Sequence, residues 1–369
     1  MIEFDLSVYN NNTKYISFFD AYIKAKGDTK KEILDRLNIS SSNISRARDN
    51  LSASEKTIIT KLSKYYKVTI ENSKLFKEIE LLSNKIYNSA YYMNFDNFNE
   101  DIKLLDKKIK KNGILTPILK LLKLFYILCK YSNAKVTDVE TVLLYEEVSK
   151  YKKYFDQNLQ NILDIISLYM NDKNAEKFKG NNNPLYLQML ATKCADKGKF
   201  MEALVYAEEA KNIFATEMNF KRLIVVNRIR IYSFLCIKNY QKAYDISKYQ
   251  RKSVRTFSKD IYDVEMTNGH YYISMLGLKM YDKIIDMSES IDSLNTYEYI
   301  CYLISLFKYD YSLYEDHINN DLNCYTISTN DKVIINNIIE YLNTKNKIII
   351  NRLKDLNLNI PLIMILEDL

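Results

Sequence analysis

The sequence predicts an all-α protein, and three observations carry that expectation. Of 369 residues only six are Gly and three Pro, so strands and tight turns lack their usual punctuation, while Leu, Ile, Lys and Glu are abundant helix-interior material. Apolar residues also recur three and four positions apart along most of the chain, the period of one buried helix face. Finally, Phe200, Tyr240 and Tyr281 stand 40 and 41 residues apart, each just after a polar turn, as in stacked helical hairpins. The length exceeds what one compact core usually holds, so two domains or an extended array follow.

The elements begin with Tyr15 to Lys26, where Ile16, Phe19, Tyr22 and Ile23 share a face and Gly27 can end the helix. Thr29 can cap the next helix, which carries Ile33 and Leu37. A polar break at Asn38 precedes another cap, at Ser40 or Ser41, and a short, nearly all-polar helix. In that helix only Ile44 and Ala47 can anchor the inner side, leaving Ser41, Ser42, Asn43, Ser45, Arg46 and Arg48 outward. Hydroxyls, an amide and arginines at a helix N-terminus suit base edges and phosphates, and with Lys30 they form the candidate DNA-binding set. Ser54 to Tyr66 supplies a fourth helix through Ile58, Ile59, Leu62 and Tyr65. Residues 1 to 68 hold 12 Lys and Arg against 8 Asp and Glu, so the chain's basic excess leans toward this segment.

Thr29, Glu32, Ile33, Leu37, Ile39, Ser40, Ile44, Ser45 and Arg46 resemble the lambda-repressor-like (Cro/XRE) helix-turn-helix family. Leu34 stands where that family has a small residue, which demands extra room, and Asn38 stands at its turn glycine. Asn tolerates positive φ, so the turn survives. The resemblance implies a DNA-binding domain over residues 1–70, bounded near Val68 to Asn72.

From Ser73 the pattern predicts helices near 73–93, 97–111, 116–131, 138–155 and 158–171, then a break at 177–184 with Pro184 opening the next unit. Three helix pairs follow between 185 and 292, with Ala203, Ala243 and Ile284 each three residues after the recurring aromatic. Small residues there let paired helices approach while the aromatic plugs the next gap. The run 190–210 resembles a tetratricopeptide repeat through Leu190, Ala191, Gly198, Phe200, Ala203, Ala207 and Ala210. That resemblance implies a right-handed superhelix of tetratricopeptide-like hairpins over 71–369. Beyond it, Tyr297 to Tyr309 reads as a helix, 319–331 as a loop and 332–351 as one apolar helix with Val333, Ile334, Ile338, Ile339 and Leu342. Pro361 opens a last apolar stretch; from about 332 the tail caps the array or packs against a second subunit.

The inventory argues against an enzyme. Only His270 and His317 are present, and no HExxH, GxSxG, Walker or GxGxxG motif occurs, so neither a cofactor nor a metal is expected. Five isolated Cys form no CxxC pair, no run reaches membrane-spanning length, and a soluble cytoplasmic protein without a membrane partner is the expectation. The 32 Tyr without any Trp read as packing residues of a thin helical array.

Binding has more support. Asn227 and Asn268 each precede the turn aromatic by 13 residues, so successive inner helices can present an amide at one level, either to a ligand or to the neighbouring helix. Arg228, Arg230 and Tyr232 share a helix with Asn227, and Gln188 and Tyr271 complete the candidate peptide-binding set. A helix-turn-helix followed by lengthened repeats resembles the RNPP group of Gram-positive peptide receptors and the related arbitrium receptors of their phages. The resemblance implies a homodimeric transcription regulator that binds double-stranded operator DNA and is switched by a short signalling peptide. The alternative is a repeat-based protein–protein adaptor that does not bind DNA.

Overall fold

The computed structural model describes residues 3–48, 55–131, 137–170, 182–258, 260–288, 294–320 and 329–369, and among these the regular elements are helices, with one isolated bridge between Thr69 and Gly113. The chain divides into two compact units, Met1–Met189 and Leu190–Leu369.

The first unit opens with a 3-10 turn at Leu6–Tyr9, then α1 (Asn12–Ala25), α2 (Lys30–Arg36), α3 (Ser41–Arg48) and α4 (Glu55–Tyr66). α1 starts three residues before the expected Tyr15 because the Asn11 side chain accepts the Lys14 N–H and caps it there. Thr29 caps α2 by accepting from the Glu32 N–H. Asn38 takes φ 50°, the left-handed turn expected of it, and the Ile39 N–H closes back on the Leu34 carbonyl at 2.9 Å. Ser40, rather than Ser41, caps α3: its Oγ accepts the Asn43 N–H at 3.2 Å. Leu34 is buried despite its bulk. Tyr65 does not join Ile58, Ile59 and Leu62 in the core; it is 40 % exposed, and its hydroxyl accepts from Arg36 Nη1 at 3.2 Å.

The segment after α4 is tied to the chain that precedes α7. Thr69 N–H donates to the Asn112 carbonyl at 3.0 Å and its own carbonyl accepts from Ile114, while the Glu71 carboxylate accepts from the Ile114 and Leu115 N–H groups. Beyond it come α5 (Ser73–Tyr91), α6 (Phe98–Ile109), α7 (Thr116–Tyr131), α8 (Val139–Ser149) and α9 (Gln157–Tyr169). α7 is the apolar centre, packed by α5, α6, α8 and α9. α8 ends well before the expected residue 155 because Tyr151, Tyr154 and Phe155 turn inward. There the Tyr154 hydroxyl donates to the Ile114 carbonyl at 2.9 Å.

α10 (Pro184–Asp196) begins at the expected proline, and after it the second unit contains α11 (Phe200–Thr216), α12 (Phe220–Cys236), α13 (Tyr240–Phe257), α14 (Ile261–Gly277) and α15 (Tyr281–Met287). The repeat is visible at half its period. Gly198, Met218, Lys238 and Lys279 all take positive φ, two residues ahead of Phe200, Phe220, Tyr240 and Tyr281, the first residues of the next helices. In each turn the intervening N–H reaches back to a carbonyl of the last helical turn, as from Asn239 to Phe234 at 2.8 Å. Ala203, Ala243 and Ile284 are fully buried, as the register requires.

The C-terminal part departs from expectation twice. After α16 (Thr296–Tyr309) comes a further helix, α17 (Tyr311–Asn320), which the sequence pattern does not mark. The expected helix over 332–351 is two, α18 (Thr329–Thr344) and α19 (Lys347–Asp355), broken where Lys345 takes φ 56° and Asn346 caps α19 by accepting the Ile348 N–H. The buried face of α18 therefore runs through Ile335, Ile338 and Leu342, and Val333 is exposed. The tail, α20 (Ile360–Glu367), packs on α12, α14 and α19 of its own chain, with Leu362 and Leu366 fully buried. Among the described residues no helix is long and apolar enough to cross a membrane.

Candidate nucleic-acid interface and ligand cavity

α3 packs on α1 and α4 through Ile44, which is buried. Its sequence supplies almost no other apolar surface, so the opposite face stays in solvent: Ser41, Ser42 and Arg46 are exposed and Asn43 is half-buried. The Ser40 and Ser42 hydroxyls lie 3.0 Å apart, which orders the start of the helix. The side chains of Ser45, Ala47 and Arg48 lie outside the described residues. Lys30, at the start of α2, pairs with Asp20 at 2.7 Å, an exposed ion pair that a phosphate can compete with. Lys61 Nζ donates to the Leu37 carbonyl at 3.1 Å and the Tyr66 hydroxyl to Asp28 at 2.9 Å, so α4 is tied to the chain at both ends of α2. α3 thus carries hydroxyl, amide and guanidinium groups on its open side.

The candidate peptide-binding residues divide between the units. Gln188 is buried in the first. The other six lie in the second, where arginines organise them. Arg230 bridges α12 to α11, with Nη2 at 2.8 Å from Glu208 and Nη1 donating to Asn227 Oδ1 at 2.8 Å. Arg228 pairs with Asp263 at 2.9 Å and lies over the Tyr262 ring. Arg251 Nε donates to Asn268 Oδ1 at 2.9 Å, and its guanidinium covers Tyr271, which stacks on Tyr244. Tyr232 packs edge-on against Phe200. The two amides thus have their oxygens engaged by arginine from within the unit. His270, two residues after Asn268 on α14, is buried with both ring nitrogens lacking a partner; burial first and the Arg228 charge second push its pKa down to about 4.

The pattern of spacings misses a cavity of about 350 Å³ that opens between α14, the start of α16, α18 and the chain ahead of α20. Tyr262 and Tyr297 furnish aromatic walls, Glu265 and Asp331 carboxylates, and Asn295 and Asn357 amides, and among the described residues no basic side chain lines it. The approach of α16 depends on Gly269: a Cβ there would stand 3.2 Å from the Tyr297 Cβ. Asn295 caps α16 reciprocally with Glu298, whose buried carboxyl is pushed up by desolvation against the hydrogen bond from the Asn295 N–H. Two carboxylates between two tyrosine faces favour a cation, through charge and through the ring quadrupole. Comparison of the chain with known protein families, with curated proteins and with solved structures finds no match.

Proposed function

We propose that the protein is a DNA-binding transcription regulator whose first four helices form a helix-turn-helix domain, and whose second unit binds a short peptide that changes its DNA affinity. The observation that carries the reading is α3: a helix seated by Ile44 and its neighbours α1 and α4, with Ser41, Ser42 and Arg46 left open to solvent. No packing role explains that composition, whereas a major-groove contact does. The cavity between Tyr262 and Tyr297 supports the peptide half, because it suits an ammonium or guanidinium carried by an otherwise neutral chain. On this reading the protein works as a homodimer on a roughly palindromic site, since one small domain makes too few contacts for specific affinity.

The test is a titration of the purified protein with duplexes from its own promoter at several salt concentrations. A specific shift whose affinity falls steeply with salt is expected. Failure with every duplex overturns the reading in favour of an adaptor that binds protein alone. Calorimetry with short peptides encoded beside the gene tests the second half separately.

A further inference from the structure

A second cavity, of about 290 Å³, lies within the first unit between α1 and the chain around the start of α7, with Lys120, Glu147 and Tyr151 on its far side. Three of its walls are rings. Phe18 and Tyr151 lie 6.2 Å apart and 25° from parallel, and Tyr22 is tilted against Phe18 at 5.4 Å. Most polar groups around it are already engaged. Lys120 neutralises Glu147 at 2.7 Å, Thr116 Oγ1 accepts the Gly113 N–H at 2.8 Å, and Asn112 Nδ2 donates to the Lys67 carbonyl.

Two donors have no acceptor among the described residues. The Lys26 ammonium stands 5.5 Å from the centre of the Tyr22 ring, and no carboxylate among the described residues pairs with it. Tyr151 is only 4 % exposed, yet its hydroxyl has no hydrogen-bond partner among the described residues. Burial first, and the Glu147 charge second, raise its pKa, so the hydroxyl keeps its proton. That hydroxyl borders the open space of the cavity, where a ligand can reach it. A cation and a hydroxyl, both donors and neither with an acceptor among the described residues, suit an oxyanion; the ring walls suit an aromatic body.

We propose that this cavity binds a small aromatic carboxylate, its ring among Phe18, Tyr22 and Tyr151 and its carboxylate accepting from Lys26 Nζ and the Tyr151 hydroxyl. The volume sits at the lower end of ligand pockets, which run from about 300 to 1,000 Å³, and so admits one ring with a short acid arm rather than a peptide. The site is separate from the cavity of the second unit, and its occupancy does not depend on any peptide or DNA. Because α1 also carries α3, a bound acid would fasten the helix behind the candidate recognition face to α7 and α8.

The experiment is calorimetry of the full-length protein with phenylacetate, alongside phenethylamine (same ring, opposite charge) and acetate (same charge, no ring). Saturable one-to-one binding of phenylacetate is expected, with both comparison compounds at least tenfold weaker. Lys26→Met, at an exposed position, and the isosteric Tyr151→Phe should each weaken phenylacetate at least fivefold with melting temperature unchanged. Absence of phenylacetate binding, equal binding of acid and amine, or native affinity in Lys26→Met overturns the proposal.

Discussion

His270 shows how much one side chain can be asked to tolerate. Buried with no partner for either nitrogen, it must stay neutral in the folded protein, with a pKa near 4 against 6.5 when exposed. The folded-state value is the lower one, so the unfolded chain takes up the proton first as pH falls. Its contribution is therefore fully present above pH 6.5 and is lost progressively as pH falls toward 4, about 3 kcal/mol in all. We expect His270→Leu to flatten the decline of urea-unfolding free energy between pH 7 and 5; an unchanged slope would place the proton elsewhere. At α3 the opposite expectation holds, because its open residues support nothing in the fold. The double variant Asn43→Ala with Arg46→Ala should lose about 1–3 kcal/mol of operator affinity per residue at an unchanged melting temperature. Retained affinity in a gel-shift titration would remove both from the interface. The helix α3 was legible in the sequence because its cap and its anchor at Ile44 are local. The cavity walls were not, since Glu265, Tyr297 and Asp331 come from three helices and no spacing along the chain links them.

Among the elements, the turns between α10 and α15 set the register, and they do so with little glycine. Met218, Lys238 and Lys279 hold the left-handed conformation that Gly198 holds in the first turn, at about 1–2 kcal/mol each for a residue with a Cβ. Lys279→Gly should therefore raise stability by about 1 kcal/mol in denaturant titration. The matching Gly198→Ala, with nothing within 4 Å of the added carbon, should lower it by a similar amount through the backbone alone. Gly277 is a different case, since its φ is ordinary and its lack of a side chain serves packing. A Cβ there would stand 2.3 Å from Cδ1 and 2.4 Å from Cγ of Tyr240, the near end of a ring that cannot swing aside. Helix propensity favours alanine by about 1 kcal/mol, but overpacking costs about 1–3 kcal/mol, and the net should be destabilisation with α13 and α14 pushed apart. An alanine variant as stable as the native chain would mean that the ring is free to move. The 40-residue spacing was legible because Phe200, Tyr240 and Tyr281 mark it. The half-period was hidden because lysine and methionine occupy positions where glycine is the usual signal, and the same disguise at Lys345 concealed the break between α18 and α19.

At the scale of the molecule, the second unit is closed by its last helix. α20 places Leu362, Ile363, Ile365 and Leu366 in a core shared with Ile231, Leu235, Tyr272 and Ile300. At about 1.5–3 kcal/mol for each buried apolar side chain, four of them rival the 5–15 kcal/mol that holds a typical domain together. Deleting residues 360–369 should abolish the cooperative melting of this unit while helical circular dichroism partly survives, and Leu366→Ala should cost about 2–5 kcal/mol. The ion pair of Lys238 with Asp368, at 2.6 Å and half exposed, contributes under about 1 kcal/mol, so Asp368→Asn should melt almost as the native protein does. A truncated chain with a sharp transition would show that α20 is an ornament rather than a keystone. The arrangement also orders events during synthesis. The hairpins of α11 to α14 join neighbours in sequence and can form as they leave the ribosome, but the core that α12 and α14 share is complete only once Leu366 has emerged. Until then the nascent chain carries open apolar faces on both helices, so the synthesis of α20 decides when this unit is safe from aggregation.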